Sequence, residues 1–178
     1  MNYAQPRNPI IWIDREEDLD RHIKALSDQS VLGLDVETTL EEAPTLCLVQ
    51  IATREANYLI DPLAVSQLQP VFEIMTDPEI IKVIHYAPFE KGVFSSLGVE
   101  IVNIFDTFEI SRRLRGVLNR YAHSLAAVCR RELDFKINKR WQKSDWKRRP
   151  LQPAQLEYAA LDAELMLVLY DHFLKQLG

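Results

Sequence analysis

The sequence predicts an α/β domain in which a central mixed β-sheet is flanked by α-helices. Three observations predict it: short buried apolar runs of strand length in the first part of the chain, helical spacing over the last part, and a carboxylate pair at the end of the first long strand run. The chain has 178 residues, of which 47% are hydrophobic, with 5 Gly, 9 Pro and no low-complexity run. That composition describes one compact domain over residues 1–178.

The elements follow in order. Residues 10–13 form a β-branched and aromatic strand, and Asp14 is placed to cap a helix running to about Leu26, with Leu19, Ile23 and Leu26 at helical spacing. Residues 31–36 (VLGLDV), 46–52 (LCLVQIA) and 57–60 read as three strands able to pair as a meander. A helix over 68–75, a buried strand over 80–85, a helix over 89–97 ended by Gly98, and a last strand over 101–105 complete the mixed part. Three helices follow, at 107–115, at 124–132 with Ser124 as cap, and from Pro153 to Leu177, where proline suits the first turn. Between the last two lies a basic, tryptophan-bearing stretch, residues 134–150.

The formal net charge is −5, but it is unevenly spread. Residues 111–150 hold 13 Lys and Arg against 3 Asp and Glu, so a basic sector adjoins an acidic body. No run of about 18 apolar residues is present and residues 1–9 are polar, so neither a membrane span nor a signal peptide is expected, and a cytoplasmic location is. Cys47 and Cys129 each sit in an apolar run as small hydrophobes, which argues against a disulfide or a zinc site.

The carboxylates carry the chemistry. Asp35 and Glu37 are two apart on a strand, so both point to one face, where two anions demand a neutralising cation or a retained proton. Tyr158 and Asp162 are four apart on an inward helix face that also carries Leu161 and Leu165. In KVIHYAPFEKGVF, His85 stands at a strand end and Glu90 in the first turn of the next helix, where anions are stabilised. Taken together, four carboxylates from a strand end, a strand-to-helix junction and a helix face suit two Mg²⁺ or Mn²⁺ ions, the arrangement of two-metal phosphoryl transfer. Tyr158 beside Asp162 is placed to hold or deprotonate a water. Each feature alone also fits a solvated acidic loop or an ordinary helix.

These residues resemble the DEDD superfamily of 3′-5′ exonucleases, in its tyrosine-bearing branch, and within it the ribonuclease D-like proteins. The likeness spans nearly the whole chain: LDVET at Asp35 and Glu37, KVIHYAPFEKGVF, YAALDAEL at Tyr158 and Asp162, FDT at Phe105 to Thr107, Ser124 with Leu125, and KSDWKRRPLQPAQLEYAALD ending at Asp162. The resemblance implies a ribonuclease H-like fold, two divalent metal ions, and hydrolysis of single-stranded nucleic acid, RNA before DNA, or of short oligoribonucleotides, to nucleoside 5′-monophosphates. It implies that Asp35 bridges the ions, that Glu37 and Asp162 complete the nucleophile-side metal, that Tyr158 positions the attacking water, and that Thr38 and His85 lie near the terminal nucleotide. Glu90 falls where the family usually has Asp, supporting the second metal. The added methylene is expected to shift that metal or its water by roughly an ångström unless the helix recedes. The family also commonly has Gly soon after the first motif, whereas Thr38, Thr39 and Leu40 lead straight into EEAP.

Relatives often continue into a helical nucleic-acid-binding domain; this sequence is expected to lack one, so that grip comes from the nuclease body or from self-association into a homo-oligomer. The basic sector, with Arg112, Arg113, Arg115, Lys139, Arg140, Lys143 and Lys147, is the candidate for phosphate contacts. Trp141 and Trp146 could stack on bases, although Trp146 is expected to pack structurally beneath Arg149. Two other readings stand beside the exonuclease: a catalytically weakened nucleic-acid-binding module, motivated by Glu90, and an endonuclease on the same general fold, which gives no reason for Tyr158 or the tryptophan-bearing string.

Overall fold

The computed structural model describes residues 4–116 and 120–178. Six strands, β1 (Ile10–Ile13), β2 (Val31–Thr38), β3 (Leu46–Ala52), β4 (Asn57–Ile60), β5 (Ile81–Ile84) and β6 (Ile104–Asp106), form one sheet in the order β1-β4-β3-β2-β5-β6. The expected meander is present, because β2, β3 and β4 pair antiparallel in sequence. The outer pairings β1 with β4, β2 with β5 and β5 with β6 are parallel, which makes the sheet mixed. Six α-helices flank it: α1 (Glu16–Ser27), α2 (Gln69–Thr76), α3 (Pro88–Ser96), α4 (Thr107–Arg115), α5 (Leu125–Glu132) and α6 (Pro153–Leu177).

The two sheet faces are covered differently. On one, Leu34, Val36, Val49, Ile51, Ile60 and Ile84 pack against Leu19 and Leu26 of α1, Val71, Ile74 and Met75 of α2, and Val93 and Phe94 of α3. On the other, Leu48, Leu59, Ala52 and Val83 meet Ala159, Ala160, Ala163, Met166 and Leu167 of α6. The far side of α6 in turn packs Leu161, Leu165, Leu169 and Phe173 against Val128 and Cys129 of α5. Apolar almost all round, α6 is therefore the buried central helix of the molecule. None of the helices among the described residues is long and apolar enough to cross a membrane.

Sequence and structure differ in a few boundaries. Asp14 does not cap α1; Arg15 occupies that position, and its carbonyl accepts from Asp18 and Leu19. The last strand begins at Ile104, because Asn103 takes a positive φ of 52° and breaks the extended run expected from residue 101. β2 runs two residues beyond the expected Val36, carrying Glu37 on the strand, and a register shift follows between Glu37 and Thr38. At the start of α6, Pro153 stands in the first turn and Gln152 and Gln155 form a reciprocal capping box, with Gln152 N donating to Gln155 Oε1 at 2.9 Å.

How close α6 comes to the sheet is set at Gly33. A Cβ there would stand 2.2 Å from the Ala163 carbonyl oxygen and 3.1 Å from Met166 Cβ. Only glycine lets the helix backbone approach this far, and Asp162, the neighbour of Ala163, depends on that approach to meet β2. Gly33→Ala should cost about 1–3 kcal/mol in urea unfolding, by overpacking against backbone that cannot yield cheaply. Parent-like stability in that variant would show that α6 is free to recede.

Candidate active site

Because side chains alternate along a strand, Gly33, Asp35 and Glu37 share one face of β2, and Gly33 shows that this is the face under α6. Asp162 projects from α6 onto the same spot. Asp35, Glu37 and Asp162 each place a carboxylate oxygen within 4.8 Å of the others. Tyr158, one turn earlier on α6, stands beside Asp162, near enough for each group to shift the other's pKa. Glu90 arrives from the other side in the first turn of α3, only 3% exposed, with its carboxyl close enough to that of Asp35 for the two to shift each other's pKa. The longer glutamate arm thus still reaches the cluster, through Asp35 rather than as a fourth member of the close trio.

Four carboxyl groups this near one another, two of them buried and two half-buried, resist ionisation. Burial, opposed by the Val36 backbone N–H and by Glu90, pushes Asp35 up to about 7. Burial and then the charges of Asp35, Asp162 and Glu90 push Glu37 up to about 10. Glu90 and Asp162 are raised well above the ordinary range, again by burial first and by Asp35 second. The Tyr158 phenol is raised by burial and by Asp162 and Glu37, which keeps it a hydrogen-bond donor.

Other acids in the protein are not in this condition. Glu164, on α6 just beyond the site, accepts from Arg7 N at 3.0 Å, Asn8 N at 3.1 Å and Asn57 Nδ2 at 2.8 Å. Glu132 pairs with Arg115 and Arg131 and is held well below its usual range, chiefly by Arg115. Asp106 accepts from the backbone N–H groups of Tyr86, Ala87 and Phe108 at 2.9–3.0 Å. These carboxylates are satisfied by donors, whereas Glu90 Oε2 and Asp162 Oδ1 are buried with no partner. Oxygen-only donors, mutually repelling and partly unpartnered, fit hard divalent cations. Both cysteines are buried free thiols, and no histidine joins the trio.

Asp35, Glu37 and Asp162 floor a cavity of about 540 Å³, and Glu90 lies behind Asp35 outside its lining. Thr38 and His85 line it as expected, and so does Lys139, whose charge counters the rise at Asp162. His85 Nδ1 lies 2.9 Å from Thr107 Oγ1, and burial lowers its pKa to about 4, so at neutral pH it is an uncharged ring. Two expected contacts lie elsewhere. Arg140 lines a separate recess on the other flank of Tyr158, its guanidinium 5.5 Å from the Trp141 ring, and Lys143 is exposed and lines neither cavity. Arg112 and Arg115 pair with Glu109 and Glu132. Unforeseen in the sequence are Tyr86, Phe89 and Phe108, an aromatic wall on which Tyr86 and Phe108 meet edge to face at 5.1 Å. Their only signal was proximity to His85 and Asp106.

The basic stretch is held by Arg149. Its guanidinium pairs with buried Asp61 at 2.5 and 2.6 Å and donates to the carbonyls of Cys47 and Trp146, both at 2.7 Å. The expected stacking on Trp146 is corrected: Arg149 stands 5.7 Å over Trp12. Trp146 is 2% exposed, its ring 6.1 Å from that of Tyr158, so it supports Tyr158 from behind and cannot stack on a base.

Comparison with known proteins gives a consistent result. A family model described as 3′-5′ exonuclease matches residues 10–178. The chain is 32% identical over 171 residues to the exosome complex exonuclease RRP6 of Saccharomyces cerevisiae, covering 94% of this chain and 23% of that protein. It is similar to the structure of Escherichia coli RNase D, an exoribonuclease involved in structured RNA processing, with TM-score 0.81 and 25% identity over 97% of this chain and 45% of that one. It also matches Brucella melitensis NrnC with bound Mg²⁺, with TM-score 0.76 and 25% identity over 95% of this chain and 81% of that one. The chain therefore spans about a quarter of the yeast relative and under half of the Escherichia coli chain.

Arg149 is the element of this site whose removal is easiest to read. Arg149→Ala leaves Asp61 buried and unpaired, a cost of about 3–5 kcal/mol. It should also open residues 134–150 to trypsin at Lys139, Arg140 and Lys143. Cleavage no faster than in the parent would mean that the loop is held by other contacts.

Proposed function

The chain belongs to the 3′-5′ exonuclease family, and from that membership and the geometry of the acidic cluster we propose that it removes nucleotides one at a time from the 3′ end of single-stranded RNA or short oligoribonucleotides, with two Mg²⁺ or Mn²⁺ ions as cofactors. The observation that carries the proposal is the gathering of Asp35, Glu37 and Asp162 within 4.8 Å, with Glu90 beside Asp35 and Tyr158 beside Asp162. The exonuclease activities of the yeast and Escherichia coli relatives, and the Mg²⁺ bound to NrnC, support it.

Asp35, between the other acids, would serve both ions, Glu37 and Asp162 the one on the attacking side and Glu90 the other. Bound there, the cations would supply positive charge for the attacking and leaving oxygens of the phosphodiester. The chain's own groups do the rest. Tyr158, held protonated, orients the attacking water through its phenol oxygen rather than acting as a base. Thr38 and neutral His85 are placed to meet the terminal nucleotide, and Tyr86, Phe89 and Phe108 give its base an aromatic face, a contact tolerant of sequence. Lys139 is the cation at the cavity nearest the acids and is suited to a phosphate.

The test is incubation of the purified protein with 5′-labelled single-stranded RNA and matched DNA in Mg²⁺, Mn²⁺ or EDTA. Products should shorten from the 3′ end, with RNA consumed faster, and shortening should stop in EDTA and in Asp35→Ala. Internal cuts would replace this reading by an endonuclease, and binding without degradation by a binding module. At the second metal position, Glu90→Asp should retain or raise activity. Glu90→Ala should lose on the order of 100-fold, the scale of a catalytic group displaced by about an ångström. An alanine variant as active as the parent would remove Glu90 from the site.

A further inference from the structure

Gln50 is fully buried in the middle of β3, and neither its Oε1 nor its Nε2 has a hydrogen-bond partner. Buried amides elsewhere in the protein are engaged: Gln155 accepts from Gln152 N and donates to Ser144 Oγ, and Asn57 donates to Glu164. A primary amide with no bond at either end is a cost that an apolar residue at the same position would not carry, and such groups persist where function retains them.

The sheet register says where the amide lies. Gln50 is the direct antiparallel partner of Asp35, so the two side chains stand on the same face with Cβ atoms roughly 4.5–5.5 Å apart. A glutamine arm spans that gap. On its other side Gln50 is in register with Leu59, and Leu48 and Ala52 flank it along β3, all of them buried and apolar. Across the strands, therefore, the polar neighbour at Gln50 is a carboxylate of the acidic cluster.

The Asp35 carboxyl at present lies beside Glu90 and the Val36 N–H. Carboxylates that hold a cation use one lone pair of an oxygen for it and leave the others to be met by donors that fix the orientation of the ligand. We infer that Gln50 is a positioning residue of the cation site: its amide N–H holds the Asp35 carboxylate in the orientation that takes a divalent cation, and contributes no bond to the fold without one. The inference rests on the two-cation reading above and adds to it a residue on a strand that carries none of the ligands.

Gln50→Met keeps the length and shape of the side chain and removes both polar atoms. Mn²⁺ binding measured by titration calorimetry should weaken by on the order of 10–100-fold. Thermal unfolding in EDTA should be unchanged or shifted upward, and at saturating Mn²⁺ the KM for RNA should stay at the parent value. A merely structural glutamine would give the opposite pair of results, a lower unfolding temperature with Mn²⁺ affinity intact. Equal Mn²⁺ affinity in parent and variant overturns the inference while leaving the exonuclease reading standing, and so does failure of Gln50→Met to fold. A parent chain that binds no Mn²⁺ at all overturns the cation reading itself, and this inference with it.

Discussion

Four carboxyl groups crowd one another at one end of the sheet, where burial resists their ionisation, and the surrounding fold is arranged to hold them there nonetheless. Asp35 and Glu37 come from one strand, Glu90 from the first turn of α3, and Asp162 from the most deeply buried helix. Each element is fixed by contacts remote from the site. The missing side chain at Gly33 admits α6, the capping box and Pro153 start it at a defined residue, and Glu164 ties its middle to the entry of β1. Pairing with donors is what makes Glu164, Glu132, Asp61 and Asp106 structural, and its absence is what marks Glu90 and Asp162. Retained protons relieve the repulsion, as the raised pKa values of all four groups reflect, and a bound cation would relieve it in their place.

The same arrangement explains the basic stretch. In a chain of net charge −5, cations gathered beside the acidic cavity compensate locally without changing the global balance. Much of that charge is already engaged, Arg115 and Arg131 by Glu132 and Arg149 by Asp61. Lys139 is the one of the expected substrate-binding cations that lines the acidic cavity. Arg140 lines the separate recess across Tyr158, and Lys143 is exposed.

Local periodicity made much of this legible in the sequence. A spacing of two on a strand and four on a helix fixes which side chains share a face, so Asp35 with Glu37 and Tyr158 with Asp162 could be paired without coordinates. The strands and helices were legible for the same reason, apart from ends decided by single residues such as Arg15 and Asn103. What escaped depends on contacts between distant segments. Gly33 carried no signal within the strand run, because its role needs the crossing point of α6. Gln50 was hidden in an apolar run, because its meaning needs the register of β3 on β2. Arg149 was assigned to the wrong tryptophan, since a chain with few regular elements between residues 134 and 150 offers no periodicity to read.

The claim beneath all of this is that the acidic cluster destabilises the fold until a divalent cation occupies it. Thermal unfolding of the parent and of Asp35→Asn, each in EDTA and in Mn²⁺, measures that directly. The account predicts that Asp35→Asn unfolds at a higher temperature than the parent in EDTA. It also predicts that Mn²⁺ at about 100 times its Kd raises the parent by roughly 5–10 °C and leaves the variant unmoved. A parent indifferent to Mn²⁺, or an Asp35→Asn chain less stable than the parent in EDTA, would contradict it.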